Sequence, residues 1–238
     1  MACKEQATAE CYAAAMRRAL VIVGKAPRPG YVKTRLVPPL SAEEAAELSR
    51  AFLLDTVSLG LALAWEAVRV VHPTADGPML RATLPAQVTC EPQHGEGLGA
   101  ALRGAFDQCF ADGFDRVVLI DSDSPTLPLR ILREACARLE EQHATIGPTA
   151  DGGYYLLGLR QPCPGLFEGI AWSTASVYQQ TCRRARELAL RVSALEEWYD
   201  VDVPADLARL EADLIGQSPD VAMHTREILQ RVTLPAAG

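Results

Sequence analysis

The residues best suited to chemistry fall into four clusters. The first is Gly24-Lys25-Ala26-Pro27-Arg28-Pro29-Gly30-Tyr31-Val32-Lys33-Thr34-Arg35, with four cations between positions 25 and 35. Di- and triphosphates are held by point charges, guanidinium forks and backbone N–H groups. Two glycines and two prolines give this loop a defined shape. Gly24, Lys25, Arg28, Gly30, Lys33 and Arg35 are therefore candidate phosphate ligands. The segment fits neither G-x-x-x-x-G-K-[ST] nor G-x-G-x-x-G, and a solvated basic loop is the plain alternative.

In the second cluster, Leu119-Ile120-Asp121-Ser122-Asp123-Ser124-Pro125, an apolar run leads directly into D-x-D. Two carboxylates so placed repel each other unless a cation holds them, and hard divalent ions such as Mg2+ or Mn2+ take carboxylate oxygens together with substrate phosphates. A turn ending in a helix N-cap is the other reading. The third cluster is Asp200-Val201-Asp202-Val203-Pro204-Ala205-Asp206-Leu207. Here Asp202 is either the N-cap of a helix that begins with Pro204 or a remote partner of Asp123 at a metal.

The fourth is Gly147-Pro148-Thr149-Ala150-Asp151-Gly152-Gly153-Tyr154-Tyr155. Paired glycines admit positive φ or close approach of backbone to a ligand. Asp151 is a candidate to bind a sugar hydroxyl or act as a base, and a hairpin turn is the alternative. Trp172-Ser173-Thr174 reads as a core aromatic followed by a helix cap, with ligand contact as the second option. His72, His94, His143 and His224 lack the spacing of a metal triad or of a Ser-His-Asp arrangement.

These clusters need a frame. Short apolar runs at Ala19–Val23, Ala67–Val71, Gln87–Cys90, Arg116–Ile120, Ala144–Ile146, Tyr154–Leu159 and Leu190–Leu195 read as strands. Helical periods between them cover Ser41 onward, Pro78–Leu84, Leu98–Ala111, Pro128–Leu139, Thr174–Leu188, Pro204–Asp213 and Ser218–Val232. Ser41 and Glu44 have the spacing of a capping box, and Gly113 suits a helix C-terminus. Such β-α alternation predicts an α/β fold of three layers with a mostly parallel sheet. Ligands of open sheets sit at the carboxyl ends of strands, where each polar cluster falls. One domain over 19–238, with an N-terminal extension of residues 1–18, is expected.

The chain has 238 residues, 30 acidic and 23 basic, for a formal charge of −7. Hydrophobic residues at 49% and charged residues at 22% describe a globular protein and exclude a disordered one. The acidic balance opposes general binding to nucleic acid or to an anionic membrane. No apolar run approaches the roughly 18–20 residues of a membrane span. Arg17 and Arg18 follow the apolar stretch Tyr12–Met16, the reverse of a secretory signal. The seven cysteines are scattered and show no C-x-x-C, as expected for reduced thiols in a cytoplasmic protein.

In order, Lys25-Ala-Pro-Arg-Pro-Gly-x-Val-Lys-Thr-Arg-Leu36, Ser122-Asp-Ser-Pro125, Gly147-Pro-x-x-Asp-Gly-Gly-Tyr-Tyr155, Trp172-Ser-Thr174 and Asp200-Val-Asp-x-Pro-x-Asp-Leu207 resemble the small bacterial GT-A-fold glycosyltransferases associated with radical-SAM/selenodomain or arsenosugar-biosynthesis genes. More distantly, the Lys33–Leu36 segment is similar to the 2-phospholactate guanylyltransferases. The Asp123 and Asp202 pair is similar to the magnesium carboxylates of sugar-acid cytidylyltransferases. The resemblance implies a nucleotide-diphospho-sugar transferase fold, with nucleotide on the 24–35 loop and Mg2+ or Mn2+ at Asp123 and Asp202. Asp121 stands where the family usually has Gly, as an added ligand or an outer group. Gly152, Gly153, Tyr154 and Trp172 would meet sugar or acceptor, with Asp151 as the catalytic carboxylate. Gly97 and Ala101 stand where the family tends to carry Asp and Arg. The implied activity is glycosyl transfer from a nucleotide-sugar to a small-molecule acceptor. The alternative is nucleotidyl transfer from a nucleoside triphosphate with release of pyrophosphate. Neither nucleic acid nor membrane is an expected partner, and nothing in the sequence sets an oligomeric state.

Overall fold

The computed structural model describes residues 16–232. The expected extension over 1–18 falls outside them up to position 15. Seven strands, β1 (Arg18–Val23), β2 (Ala67–His72), β3 (Thr89–Pro92), β4 (Arg116–Asp121), β5 (Ala144–Pro148), β6 (Tyr154–Leu159) and β7 (Val192–Ala194), form one sheet in the order β3-β2-β1-β4-β6-β5-β7. β6 runs antiparallel to both β4 and β5, while the remaining pairings are parallel. The carboxyl ends of β1, β4, β5 and β7 therefore share one rim.

Among the described residues, seven α-helices accompany the sheet: α1 (Ala42–Leu61), α2 (Gly77–Thr83), α3 (Gly97–Ala111), α4 (Leu129–Arg138), α5 (Val177–Glu187), α6 (Pro204–Ile215) and α7 (Met223–Leu229). β1 shows how the layers arise. Leu20 and Ile22 pack with Leu53 and Val57 of α1 and with Ile131 and Leu132 of α4. The alternate residues Ala19 and Val21 pack with Leu102 and Phe106 of α3 and Ala185 of α5. A strand buried on both faces must be apolar throughout, hence the continuous Ala19–Val23 run. α6 and α7 lie against the other side of α1, where Leu48 and Phe52 meet Leu207, Leu210 and Ile228.

Local signals explain most boundaries. Ser41 Oγ accepts from Glu44 N at 3.1 Å and Glu44 Oε2 accepts from Ser41 N at 2.7 Å, which completes the capping box of α1. Gly113 follows α3 with φ of +81°, the left-handed turn expected of a C-terminal glycine. α5 begins at Val177, three residues after the expected start. Ser173 has φ of +62°, and Val177 N reaches Thr174 O in a separate turn. α7 begins at Met223 because Ala222 is left-handed at φ +54° and interrupts the period expected from Ser218. Among the described residues, no helix is long and apolar enough to cross a membrane. Five described cysteines, Cys90, Cys109, Cys136, Cys163 and Cys182, are free thiols.

Candidate functional site

The loop after β1 and the segments after β4 and β7 meet at the carboxyl-end rim. Lys33 joins them. Its Nζ lies 2.8 Å from Asp123 Oδ1 and 2.8 Å from Asp202 Oδ1, with the side chain only 5% exposed. The ammonium also sits 5.7 Å from the ring centroid of Phe52, a buried residue of α1. Lys33 is left-handed at φ +48°, an uncommon and strained setting for a residue with a Cβ. Burial alone lowers a lysine pKa, but the charges of Asp123 and Asp202 outweigh it, so Lys33 titrates above its ordinary value and stays protonated.

Asp202 is not the cap of α6. The Asp206 carboxylate takes that role, accepting from Asp202 N at 2.9 Å and Val203 N at 2.8 Å. This leaves the Asp202 side chain free for Lys33. Nor does Asp123 cap α4, whose N-cap is Pro128. Val201 N donates to Asp123 O at 2.9 Å and Ser124 Oγ donates to Asp200 Oδ1 at 2.9 Å, so the two D-x-D segments are tied side by side.

Asp121 is engaged differently. Its Oδ1 accepts from Asp123 N at 2.8 Å. Burial, then the neighbouring Asp200 and Asp123 charges, push its pKa well above the usual carboxylate range. Asp200 is pushed up to about 6, chiefly by burial, while a hydrogen bond from Asp121 opposes the shift. Both shifts have the same direction, since burial and mutual repulsion each disfavour a second negative charge in this pair. Sequence reading passed over Asp200 as a site residue. Its available signal was the spacing, since 200–202 repeats the D-x-D of 121–123. Among the described residues, no three His, Cys, Asp or Glu side chains already form a metal cage. Asp123 and Asp202 converge on one point, and Asp121 does not join them there.

The remaining loop cations divide. Arg28 Nη2 pairs with Asp76 Oδ1 at 2.8 Å, and Asp76 Oδ2 accepts from Ala26 N at 2.9 Å. Asp76, fully buried, anchors the loop; in the sequence it reads only as an acid before Gly77-Pro78. The Arg28 guanidinium lies 4.2 Å from the ring centroid of Tyr31 and the Lys25 ammonium 5.8 Å from it. Lys25 and Arg35 are exposed. Gly24 is a packing residue, since a Cβ there would lie 3.3 Å from Leu53 Cδ1. Gly30 supplies the positive φ, +72°, at the loop tip.

The segment 149–153 links β5 to β6 at the same rim. Asp151 Oδ1 accepts from Thr149 Oγ1 at 2.5 Å and Gly153 N at 3.0 Å, so that oxygen closes the hairpin turn. Gly152 has φ of +90°, and a Cβ there would lie 1.9 Å from Ala175 O, so only glycine fits. Tyr154 turns its hydroxyl into the core, where it finds no hydrogen-bond partner among the described residues. Burial raises the pKa of that hydroxyl, and the group is not presented to the rim. Trp172 stacks on Phe167 with centroids 6.4 Å apart, and its indole fills the space a Cβ on Gly99 would need. Gly153 lies within the turn, its N–H bound to Asp151.

A family model described as "uncharacterized protein conserved in bacteria" (DUF2064) matches residues 56–174. A proposed nucleotide-diphospho-sugar transferase from Desulfovibrio desulfuricans G20 is 36% identical, with a TM-score of 0.84, covering 91% of this chain and 95% of its own. 4-Diphosphocytidyl-2C-methyl-D-erythritol synthase from Anaerococcus prevotii is similar in fold at 12% identity and a TM-score of 0.57, over 84% of this chain and 96% of its own. A nucleotidyl transferase from Methanothermobacter is similar in fold at 16% identity and a TM-score of 0.56, over 84% and 98%. No curated protein sequence matches.

Proposed function

The chain belongs to the bacterial DUF2064 family, and we propose that it is a glycosyltransferase moving a sugar from a nucleotide-diphospho-sugar to a small-molecule acceptor with the help of Mg2+ or Mn2+. The observation that carries the proposal is the meeting of Lys33, Asp123 and Asp202 at the carboxyl-end rim. The nucleotide-diphospho-sugar transferase assignment of the 36% identical Desulfovibrio protein supports it.

The donor set fits a divalent cation. Both Oδ1 atoms lie 2.8 Å from one nitrogen, so they are at most twice that distance apart. Opposite oxygens around Mg2+ are separated by roughly 4 Å. Asp123 and Asp202 would hold the ion, which when bound neutralises charge developing on a leaving diphosphate.

The chain's own groups do the rest. Lys25 and Arg35, exposed on the same loop as Lys33, are available to phosphate oxygens. Arg28, braced by Asp76 and Tyr31, holds the loop in shape so that little ordering remains on binding. Asp151 keeps one oxygen in its turn and has the other to orient a sugar hydroxyl or take the acceptor's proton. Gly152 and Gly153 shape the turn that carries Asp151, and Trp172 packs beside it against Gly99 and Phe167.

Nucleotidyl transfer is the second reading, favoured by the four loop cations and by the fold shared with the two nucleotidyltransferases named above. Two of those cations are already neutralised, Arg28 by Asp76 and Lys33 by Asp123 and Asp202. The surplus that would single out a triphosphate is thereby reduced, and the diphospho-sugar is preferred. Thermal stability with Mn2+ and a nucleotide panel separates the two. Stabilisation by nucleoside diphosphates or nucleotide-sugars but not triphosphates is expected. Triphosphate-selective stabilisation with pyrophosphate release would establish nucleotidyl transfer instead.

A further inference from the structure

We propose that the Lys33 ammonium and the divalent cation are mutually exclusive occupants of the Asp123–Asp202 site, so that Lys33 holds the site closed to metal until a phosphate draws it away. The inference rests on the metal assignment above. Lys33 Nζ stands 2.8 Å from each of the two carboxylate oxygens that converge on one point. A divalent ion bound to those same oxygens would lie within a few ångströms of the ammonium, whose side chain is only 5% exposed, while the carboxylates, at 35% and 45%, stay open to an ion from solvent.

The surroundings hold the lysine in place yet give it a way out. Its stem is buried and its ammonium lies over the Phe52 ring. The backbone at Lys33 is left-handed at φ +48°, and Gly30, at φ +72° with open space around its Cα, lies three residues upstream. An incoming diphosphate supplies the counter-charge that replaces the two carboxylates. Lys33 is in this sense a positioning residue that couples phosphate arrival to metal loading. A resting site balanced by a lysine binds free metal poorly, and that keeps the ion from loading without substrate.

The test is direct binding of Mn2+ alone, without nucleotide, followed by the loss of the free-ion paramagnetic resonance signal. Wild type, Lys33→Met, Lys33→Asn and Asp123→Asn are compared. Lys33→Met keeps the apolar stem, and Lys33→Asn tolerates the left-handed backbone should the first variant fold poorly. The expected result is Mn2+ binding at least about tenfold tighter in the Lys33 variants than in wild type. That gain should vanish when Asp123→Asn is added. A residue with a merely structural role would not yield a gain. Equal or weaker Mn2+ binding in the Lys33 variants, still dependent on Asp123, overturns the exclusion and leaves the metal site standing. Absence of Asp123-dependent Mn2+ binding in every variant overturns both.

Discussion

At the amino-end rim of the sheet, charges meet in separate pairs. Arg18 forks onto Glu66, with Nη2 to Oε1 at 3.0 Å and Nε to Oε2 at 3.2 Å, and Arg116 pairs with Glu140 at 3.1 Å. At the carboxyl-end rim, Asp123 and Asp202 share the ammonium of Lys33, and Asp121 and Asp200 press on each other and on Asp123 behind them. The first arrangement needs nothing further. The second keeps carboxylates in mutual repulsion and sets a lysine in a strained backbone conformation. Proteins retain such arrangements where a ligand completes them. Charge at one rim of this sheet supports the fold, and charge at the other is where we propose that phosphate and metal bind.

The contrast breaks most sharply under substitution of the carboxylates. Asp123→Asn and Asp202→Asn should each lower turnover by about two to three orders of magnitude, the scale for losing one electrostatic contact to developing charge. Their thermal midpoints should stay near wild type. Turnover within twofold of wild type in either variant would move the chemistry elsewhere.

Gly152→Ala sharpens it next, because that rim also depends on a backbone only glycine allows. The φ of +90° and a Cβ 1.9 Å from Ala175 O force the turn to move. A loss of about 2 kcal/mol or more in denaturant unfolding is expected. An unchanged midpoint would mean that the 149–153 turn is pliant.

The smallest effect belongs to the other rim. Glu66→Gln should cost only about 0.2–1 kcal/mol, since both partners are more than a third exposed, and should leave turnover untouched. The hydrogen bond from Arg18 lowers the Glu66 pKa from 4.5 to about 2. A depressed carboxylate contributes stability that is present above pH 4.5 and lost as pH falls toward 2. The variant should lack that part of the acid-side slope. A slope identical to wild type in acid unfolding would remove Glu66 from the account.

The sheet and the helices were legible because period and burial coincide. Ala19–Val23 and Arg116–Ile120 are apolar throughout as strands covered on both faces must be, and Ser41 with Glu44 marked a helix start by spacing alone. Asp123 and Asp202 were legible as partners, but the salt bridges of Lys33 to both were not. Their separation in sequence, up to 169 positions, is closed only by the sheet order. Asp202 stayed ambiguous because Asp206, four residues on, is the true capping side chain. Asp76 escaped notice because nothing in its sequence neighbourhood shows that Arg28 will reach it. Tyr154 was expected beside sugar or acceptor through the resemblance alone, and its hydroxyl is instead buried in the core.

Calorimetric titration of a nucleoside diphosphate with Mn2+ into wild type, Asp123→Asn and Glu66→Gln tests the difference between the rims most directly. Binding that is lost in Asp123→Asn and undiminished in Glu66→Gln is the predicted result. Equal affinity in wild type and Asp123→Asn would contradict the assignment of the carboxyl-end rim.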